Sequence, residues 1–502
     1  MPPMSVPRRT RAMVEIDTCN GPIRGERIGD VSVFRGIPFA APPTGPRRWQ
    51  PPAPPEPWTE TRAATRFGAD CPQRTALPIG SRATAQGEDC LTLNVWTPAE
   101  SPDAGLPVMV WIFGGSFVFG SGAEERADGM TFARDGVVYV SINYRVGMFG
   151  FLAHPGLTAE SADGTSGNYG LLDQIAGLAW VRDNIARFGG DPGRVTLFGV
   201  SAGAASISLL MTSPLAQGLF RQVILQSPGA FRPLASLVDA EAAGAALDGD
   251  IAALRALSPA ELLDRQKLIE PGVRNLTAPR ILRPIRDGHV VPADDRDSYL
   301  AGRFAHVPAI IGSMEDEGSN AVAAWPVKTR ADFLALLDRT FGKDAIEAQT
   351  LYPTGSDDDV AAALANLFGD TQFTYGVAAL SRTIAAAGIP VWRYLFTRRR
   401  PGKGAPKHSE EVSYVFDRPD LPPRGEADHR HDAADARIAS VMHRAWVSFA
   451  KAGTPDGVDW PAYAPDSAAL LEFGDTPSLR KGWREPQVAF LDRFFETAPA
   501  TA

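Results

Sequence analysis

The chain has little cysteine: Cys19, Cys71 and Cys90 are the whole complement in 502 residues. At most one bridge can form, so no disulfide framework holds this fold, and no Cys-x-x-Cys pair offers the common zinc spacing. Long apolar runs are missing too. No stretch approaches the roughly 18 consecutive apolar residues of a membrane-crossing helix. Nor is there an excess of positive charge. Fifty Lys and Arg stand against 58 Asp and Glu, a net charge of −8, which argues against a nucleic-acid or membrane partner. The start carries Arg8, Arg9 and Arg11, but Glu15 follows Ala12-Met13-Val14 at once. Without an apolar stretch it reads as neither a secretory nor a twin-arginine signal, and the expected compartment is the cytoplasm.

What is present is a globular composition, 44% hydrophobic and 22% charged, which excludes disordered and fibrous classes. Length alone suggests about three domains at roughly 150 residues each. No repeat or low-complexity tract divides the chain, however, and it reads as a single unit over residues 1–502 with an ordered core from about 14 to 495. A chain this size buries roughly three quarters of its surface and needs no metal or cross-link to fold. Pro42 to Pro57 is proline-rich and reads as an extended surface crossing.

Short β-branched and aromatic runs predict buried strands at Val108–Phe113, Val137–Ile142, Val195–Phe198, Val223–Leu225, Val307–Ile311 and Val391–Phe396. A helical pattern lies between them, clearest at Leu171 to Ile185 with Leu171, Ile175, Leu178 and Ile185 on one face. Alternating strands and helices predict an α/β fold with a mostly parallel central sheet flanked by helices. Residues 240–281 and 329–387, rich in alanine and leucine, read as helical insertions placed to cap the carboxyl edge of the sheet, where such sheets bind ligands.

The chemistry gathers at strand ends. Gly199-Val200-Ser201-Ala202-Gly203 is a G-x-S-x-G between an apolar run and a small-residue helix, Ala202 to Met211. Its glycines permit a sharp turn that exposes the Ser201 hydroxyl, and the helix start behind it offers a positive dipole and the N–H of Ala202. A serine nucleophile needs an oxyanion hole. Gly114-Gly115-Ser116 follows the Val108–Phe113 run, and adjacent glycines let backbone N–H groups approach a carbonyl oxygen.

The base must come from His154, His289, His306, His408, His429, His431 or His443. A chain order of serine, acid, histidine favours His408, which follows the Val391–Phe396 run; His443 sits in a helical pattern, Ile438 to Phe449. His429 and His431 form an H-x-H that lacks a third spaced ligand, so no metal is expected there. The acid is one of Glu315, Asp316 and Glu317, which spacing alone does not separate.

The ordered motifs Phe34-Arg-Gly-Ile-Pro-Phe-Ala40, Glu88-Asp-Cys-Leu-Thr-Leu-Asn94, Gly167-Asn-Tyr-Gly-Leu-Leu-Asp-Gln174 and Phe188-Gly-Gly-Asp-Pro192 resemble those of the type-B carboxylesterases. These are the cholinesterase-like α/β-hydrolases, and the nearest likeness is to their bacterial para-nitrobenzyl-esterase-like members. The resemblance runs from about Val14 to Phe495 and implies the α/β-hydrolase fold. It points to Glu317, in Asp-Glu-Gly, as the acid and to His408, three residues before Glu411, as the base. The implied oxyanion donors are the N–H groups of Gly115, Ser116 and Ala202, and the family's second serine near the triad corresponds to Ser227. It further implies a structural ion pair between Glu88 and Arg145.

Three departures stand out. Val200 replaces the usual glutamate before the nucleophile, which removes a buried carboxylate. Ser116 stands where glycine or alanine is usual. The family's first disulfide maps onto Cys71 and Cys90, enclosing 18 residues; it would add about 3 kcal/mol by loop closure, while a reducing compartment favours two buried thiols instead. The Pro72–Asp89 loop has no aromatic residue, so the cation–π contact that holds a quaternary ammonium in animal cholinesterases is missing. The expectation is therefore a cofactor-independent serine esterase acting on small neutral esters, as a monomer or homodimer. Carbamate, amide or thioester substrates, or a silent interaction module, are the alternatives.

Overall fold

In the computed structural model, residues 12–74, 80–247, 249–269, 275–422 and 430–497 are described. The sheet within them has thirteen strands. They are β1 (Ala12–Thr18), β2 (Gly21–Ile28), β3 (Val31–Pro38), β4 (Arg62–Ala63), β5 (Thr92–Thr97), β6 (Leu106–Ile112), β7 (Val138–Ile142), β8 (Gly190–Val200), β9 (Gln222–Gln226), β10 (Ala309–Met314), β11 (Val391–Phe396), β12 (Ala469–Phe473) and β13 (Pro477–Lys481). Their spatial order is β1-β2-β3-β5-β7-β6-β8-β9-β10-β11-β12-β13, with β4 beside β2.

From β7 to β12 every neighbouring pair is parallel. The flanks are antiparallel, β1-β2-β3-β5-β7 on one side and β12-β13 on the other. Every residue of β7, β10 and β11 is buried. Helices cover both faces of the parallel part, which is why its strands read as continuous apolar runs. β1 instead alternates exposed and shielded residues through Val14, Ile16 and Thr18. It carries no apolar run, so the sequence reading did not mark it.

All six expected strands form, Val391–Phe396 with the expected ends and the other five with shifted ones. β8 starts earlier and β10 runs on through Gly312-Ser313-Met314. Gly312 is there because Tyr394 of β11 packs against it: a Cβ would sit 2.2 Å from that ring. The Leu171–Ile185 pattern becomes the helix Tyr169–Asn184. Residues 240–281 contain the helices Ile251–Ala256 and Pro259–Gln266, and 329–387 contain Arg330–Phe341, Ala345–Leu351, Val360–Gly369 and Tyr375–Ala386. Pro42 to Pro57 is irregular apart from one short turn of helix at Gly45–Arg47, and it is anchored by buried Trp49, whose indole donates to the Met148 carbonyl at 2.8 Å.

One expectation is corrected, and one left open is decided. Glu88 and Arg145 do not pair with one another. Arg145 forms a two-pronged pair with Asp173, at 2.7 and 2.8 Å, while Glu88 is held by Arg48 at 2.5 and 2.6 Å. Asp173 lies fully buried on the Tyr169–Asn184 helix; a carboxylate there needs a matched cation, and the guanidinium fork supplies it. Cys71 and Cys90 are buried free thiols rather than a cross-link. A hydrogen bond from one thiol to the other, together with burial, pushes the Cys90 thiol well up.

Candidate active site

The candidate nucleophile, acid, base, oxyanion donors and Ser227 all lie beyond the carboxyl ends of strands in the parallel part of the sheet. The Gly114–Ser116 loop leaves β6, Ser201 follows β8, Ser227 follows β9, Glu317 follows β10 and His408 follows β11. Those strands lie side by side in the order β6-β8-β9-β10-β11. Residues spread over some 290 positions of sequence therefore meet at one edge, in the crevice where α/β sheets bind ligands.

Ser201 has φ +57° and ψ −121°, a strained conformation for a side-chain-bearing residue. The turn is tight because Gly199 and Gly203 pack on the end of β6; a Cβ at either would lie 2.5 or 2.0 Å from the Ile112 carbonyl oxygen. The Ser201 N–H donates to the Gln226 carbonyl at 2.8 Å, and the helix Ala202–Thr212 starts immediately behind it. The opposite loop is also strained. Gly115 has φ +134°, Ser116 +57° and Phe117 +63°. A Cβ at Gly115 would fall 1.9 Å from the Phe119 carbonyl oxygen, so only glycine fits, while Ser116 tolerates a positive φ that glycine would adopt more easily.

The geometry separates the three acidic neighbours. Glu315 turns outward to Arg399 at 2.6 Å. Asp316 accepts from the N–H groups of Gly318 and Ser319, at 3.1 and 2.9 Å, in a local turn. Glu317 turns inward, is 4% exposed, and one of its carboxylate oxygens, Oε2, meets Nδ1 of His408. Its other oxygen, Oε1, accepts from the Ser227 hydroxyl at 2.6 Å and the Met314 N–H at 2.8 Å. The two loops are tied together, with Asp316 N–H donating to Pro406 O at 3.2 Å, and Arg126 donates to the Ser409 carbonyl at 2.8 Å. The His408 ring lies 4.4 Å from that of Phe373.

Burial alone would lower the His408 pKa. The charge of Glu317 and its hydrogen bond outweigh that and hold it above the ordinary histidine value. Fully buried Glu411 lies close by. Burial, joined by the charge of Glu317, pushes its carboxyl up to about 7, and its Oε1 takes the Gln226 side-chain amide at 3.1 Å. Val200 is buried beside the nucleophile, so Glu411 faces no carboxylate from that position.

The other described histidines are engaged elsewhere. His154 caps the helix Pro155–Glu160, His289 faces Asp163 at 3.6 Å, and His306 packs on Phe304. His443, on the helix Ala433–Ala452, contacts Asp135 at 3.2 Å. His431 is exposed, and His429 lies outside the described residues.

Gly115, Ser116, Ser201, Ala202, Glu317 and His408 line one cavity of about 360 Å³. Ser227 reaches the site through Glu317. The family model described as "Carboxylesterase family" matches residues 11–491. The chain belongs to the carboxylesterase family. It is 47% identical to a fumonisin B1 esterase of Sphingopyxis macrogoltabida over 93% of this chain and 87% of that protein. It is 33% identical to the para-nitrobenzyl esterase of Bacillus subtilis (strain 168) over 91% and 94%. A solved structure of PNB esterase superposes with a TM-score of 0.84 at 31% identity, covering 95% of this chain and 99% of that one. This carboxylesterase-family protein thus has the α/β-hydrolase fold and is a carboxylic ester hydrolase. Among its described residues no helix is long and apolar enough to cross a membrane.

The cavity wall also carries positive charge. Arg126, Arg232, Arg280 and Arg283 contribute to it, and Glu317, already engaged by His408, is the sole carboxylate-bearing residue among those lining it in the described chain. Sequence reading missed these arginines because they lie in loops without a motif. The available signal was position: Arg232 comes five residues after Ser227 at the end of β9, Arg280 lies at the end of the 240–281 segment expected over the carboxyl edge, and Arg283 lies just beyond it.

Proposed function

We propose that this protein is a serine carboxylesterase acting by two-step acyl transfer through Ser201, His408 and Glu317. The observation that carries the reading is the inward-facing Glu317, bonded to His408 Nδ1 in the same cavity as the strained Ser201. With Nδ1–H held by the carboxylate, Nε2 keeps the lone pair a base requires.

His408 takes the Ser201 proton as Oγ attacks the ester carbonyl. The oxyanion that forms is held by the N–H groups of Gly115, Ser116 and Ala202. Collapse breaks the carbonyl–alkoxy bond, and His408 returns the proton to the departing alcohol. Water then repeats the cycle on the acyl-enzyme, releasing the carboxylic acid and restoring Ser201. Glu317 keeps the imidazole in the right tautomer and stabilises its cation; Ser227 and the Met314 N–H keep Glu317 in place. The two relatives are both esterases by name, which agrees with an ester as the bond cleaved. Neutral nitrophenyl esters serve as general probes of the machinery.

The test is nitrophenol release from esters of acetate through octanoate by wild type and Ser201→Ala side by side. Turnover by wild type that is lost in Ser201→Ala is expected. No turnover by folded wild-type protein, or full turnover by Ser201→Ala, would refute the assignment.

A further inference from the structure

A small side cavity of about 40 Å³ adjoins the catalytic one, and Phe117, Ala205, Gly229, Arg232, Arg280 and Arg283 line both. Three guanidinium-bearing residues at one place are unexpected in a chain with net charge −8. Arg232 makes its hydrogen bonds to neutral oxygens: the Gly229 carbonyl, at 3.2 and 3.0 Å, and the Gln372 side chain. No carboxylate of the described residues lies within ion-pair range of it. Asp295 is the acidic residue of the side cavity, and it is committed to the backbone N–H groups of Phe231 and Arg296 at 2.9 and 2.8 Å. The shielding is strong enough that burial pulls the Arg232 pKa down to about 10, against a partly compensating pull from Asp295.

Arg283 places its guanidinium 5.6 Å from the Phe117 ring, and Phe117 follows Ser116 of the expected oxyanion hole. Arg126, which lines the catalytic cavity but not the side cavity, pairs with Glu124 at 2.5 Å. A shielded cation without a carboxylate contact is costly unless an anion completes the site. The guanidinium fork matches a carboxylate in geometry as well as charge.

We propose that Arg232, Arg280 and Arg283 form a carboxylate-recognition subsite beside Ser201, so that the preferred substrate is an ester bearing a further carboxylate. This rests on the serine-esterase reading for its catalytic half. The charged group can sit on the acyl side or on the alcohol side of the scissile bond, and the probes separate the two. Nitrophenyl hydrogen glutarate carries it on the acyl side and 4-carboxyphenyl butyrate on the alcohol side; nitrophenyl butyrate and phenyl butyrate are their neutral partners. Each rate is normalised to alkaline hydrolysis of the same ester.

In wild type one anionic ester is expected to exceed its neutral partner in kcat/KM by about tenfold or more, as befits a charge-assisted contact. The preference should weaken with added salt and fall about tenfold in the Arg280→Gln/Arg283→Gln double variant. Because Arg232 also braces the Gly229 turn, this pair provides the variant less exposed to misfolding. A second reading does not depend on turnover: glutarate should bind folded Ser201→Ala in calorimetry and fail to bind when Arg280→Gln and Arg283→Gln are added. If no ester is hydrolysed but glutarate binds in this arginine-dependent way, the esterase reading fails and the subsite stands. If neutral esters turn over while neither anionic ester is preferred, or the preference survives the double substitution, the subsite is overturned.

Discussion

Replacing Glu317 with glutamine tests the triad through a change of one atom. The Oε1 position receives two donors, the Ser227 hydroxyl at 2.6 Å and the Met314 backbone N–H at 2.8 Å. A backbone N–H can only donate, so the glutamine must keep its carbonyl oxygen there and turn its NH₂ toward His408. That NH₂ is itself a donor. His408 Nδ1 must then present a lone pair, which moves the ring proton to Nε2, the nitrogen that has to accept from Ser201. The site retains its shape with the wrong tautomer. The cost expected in kcat is on the order of 10⁴, the size seen when the corresponding carboxylate of a serine protease becomes an amide.

The same substitution moves the pH profile. In wild type, burial pulls the His408 pKa down while the charge and hydrogen bond of Glu317 lift it above 6.5. The base works when neutral, so kcat/KM rises with pH through that raised value. With Glu317→Gln the lifting contributions go and burial remains, so the residual activity should begin its rise at lower pH than wild type. Steady-state kinetics on nitrophenyl butyrate across the histidine range, with melting temperatures for both proteins, measures this. A folded Glu317→Gln protein within tenfold of wild-type kcat, or one whose acid limb stays put, would refute the reasoning.

Ser227→Ala removes one of the two donors on Glu317 Oε1 and is expected to lower kcat about tenfold, the worth of one net hydrogen bond felt in the transition state; an unchanged kcat would show that the Met314 N–H suffices. Glu411 titrates near 7 in the folded chain, above its ordinary value of 4.5, so its native form holds a proton that the unfolded chain loses first. Its contribution to stability is fully present below about pH 4.5 and is lost as pH rises through about 7. Glu411→Gln should accordingly gain in melting temperature relative to wild type at pH 8 and not at pH 4.5, and a gain independent of pH would contradict the assignment. A thiol reagent should titrate one cysteine, exposed Cys19, in the native protein and three after unfolding; two fewer after unfolding would indicate a Cys71–Cys90 bridge.

How much of this was legible depended on the kind of constraint involved. β6, β7 and β11 were visible because a strand buried on both faces must be apolar throughout. β1 and β2 pair antiparallel at the sheet's flank, where one face suffices, and they left no run to find. Ser201 was marked by its glycines, since the turn that exposes it admits no Cβ near the end of β6. The acid was not resolved by the residues themselves: Glu315, Asp316 and Glu317 differ only in which way a four-residue loop turns, and that is set by Met314 and by Pro406 across the loop. The exchange of partners among Arg48, Glu88, Arg145 and Asp173 has the same origin, because composition does not say which of several buried charges come within reach of one another.

The arginines carry this point furthest. A nucleophile elbow is a local solution to a local steric problem, so it leaves a short motif. A charged wall is assembled from separate loops that share no spacing, and each arginine taken singly looks like a solvated surface residue. Only the register of the sheet puts the loop after β9, the segment before β10 and the loop after β6 around one cavity. Chemistry common to the family is thus written in short motifs, and selectivity is written in which loops the sheet order makes neighbours. Arg280 and Arg283 are therefore the first positions at which a change should alter which ester is cleaved, whereas under the proposed mechanism changes at Ser201, Glu317 and His408 should decide whether any ester is cleaved.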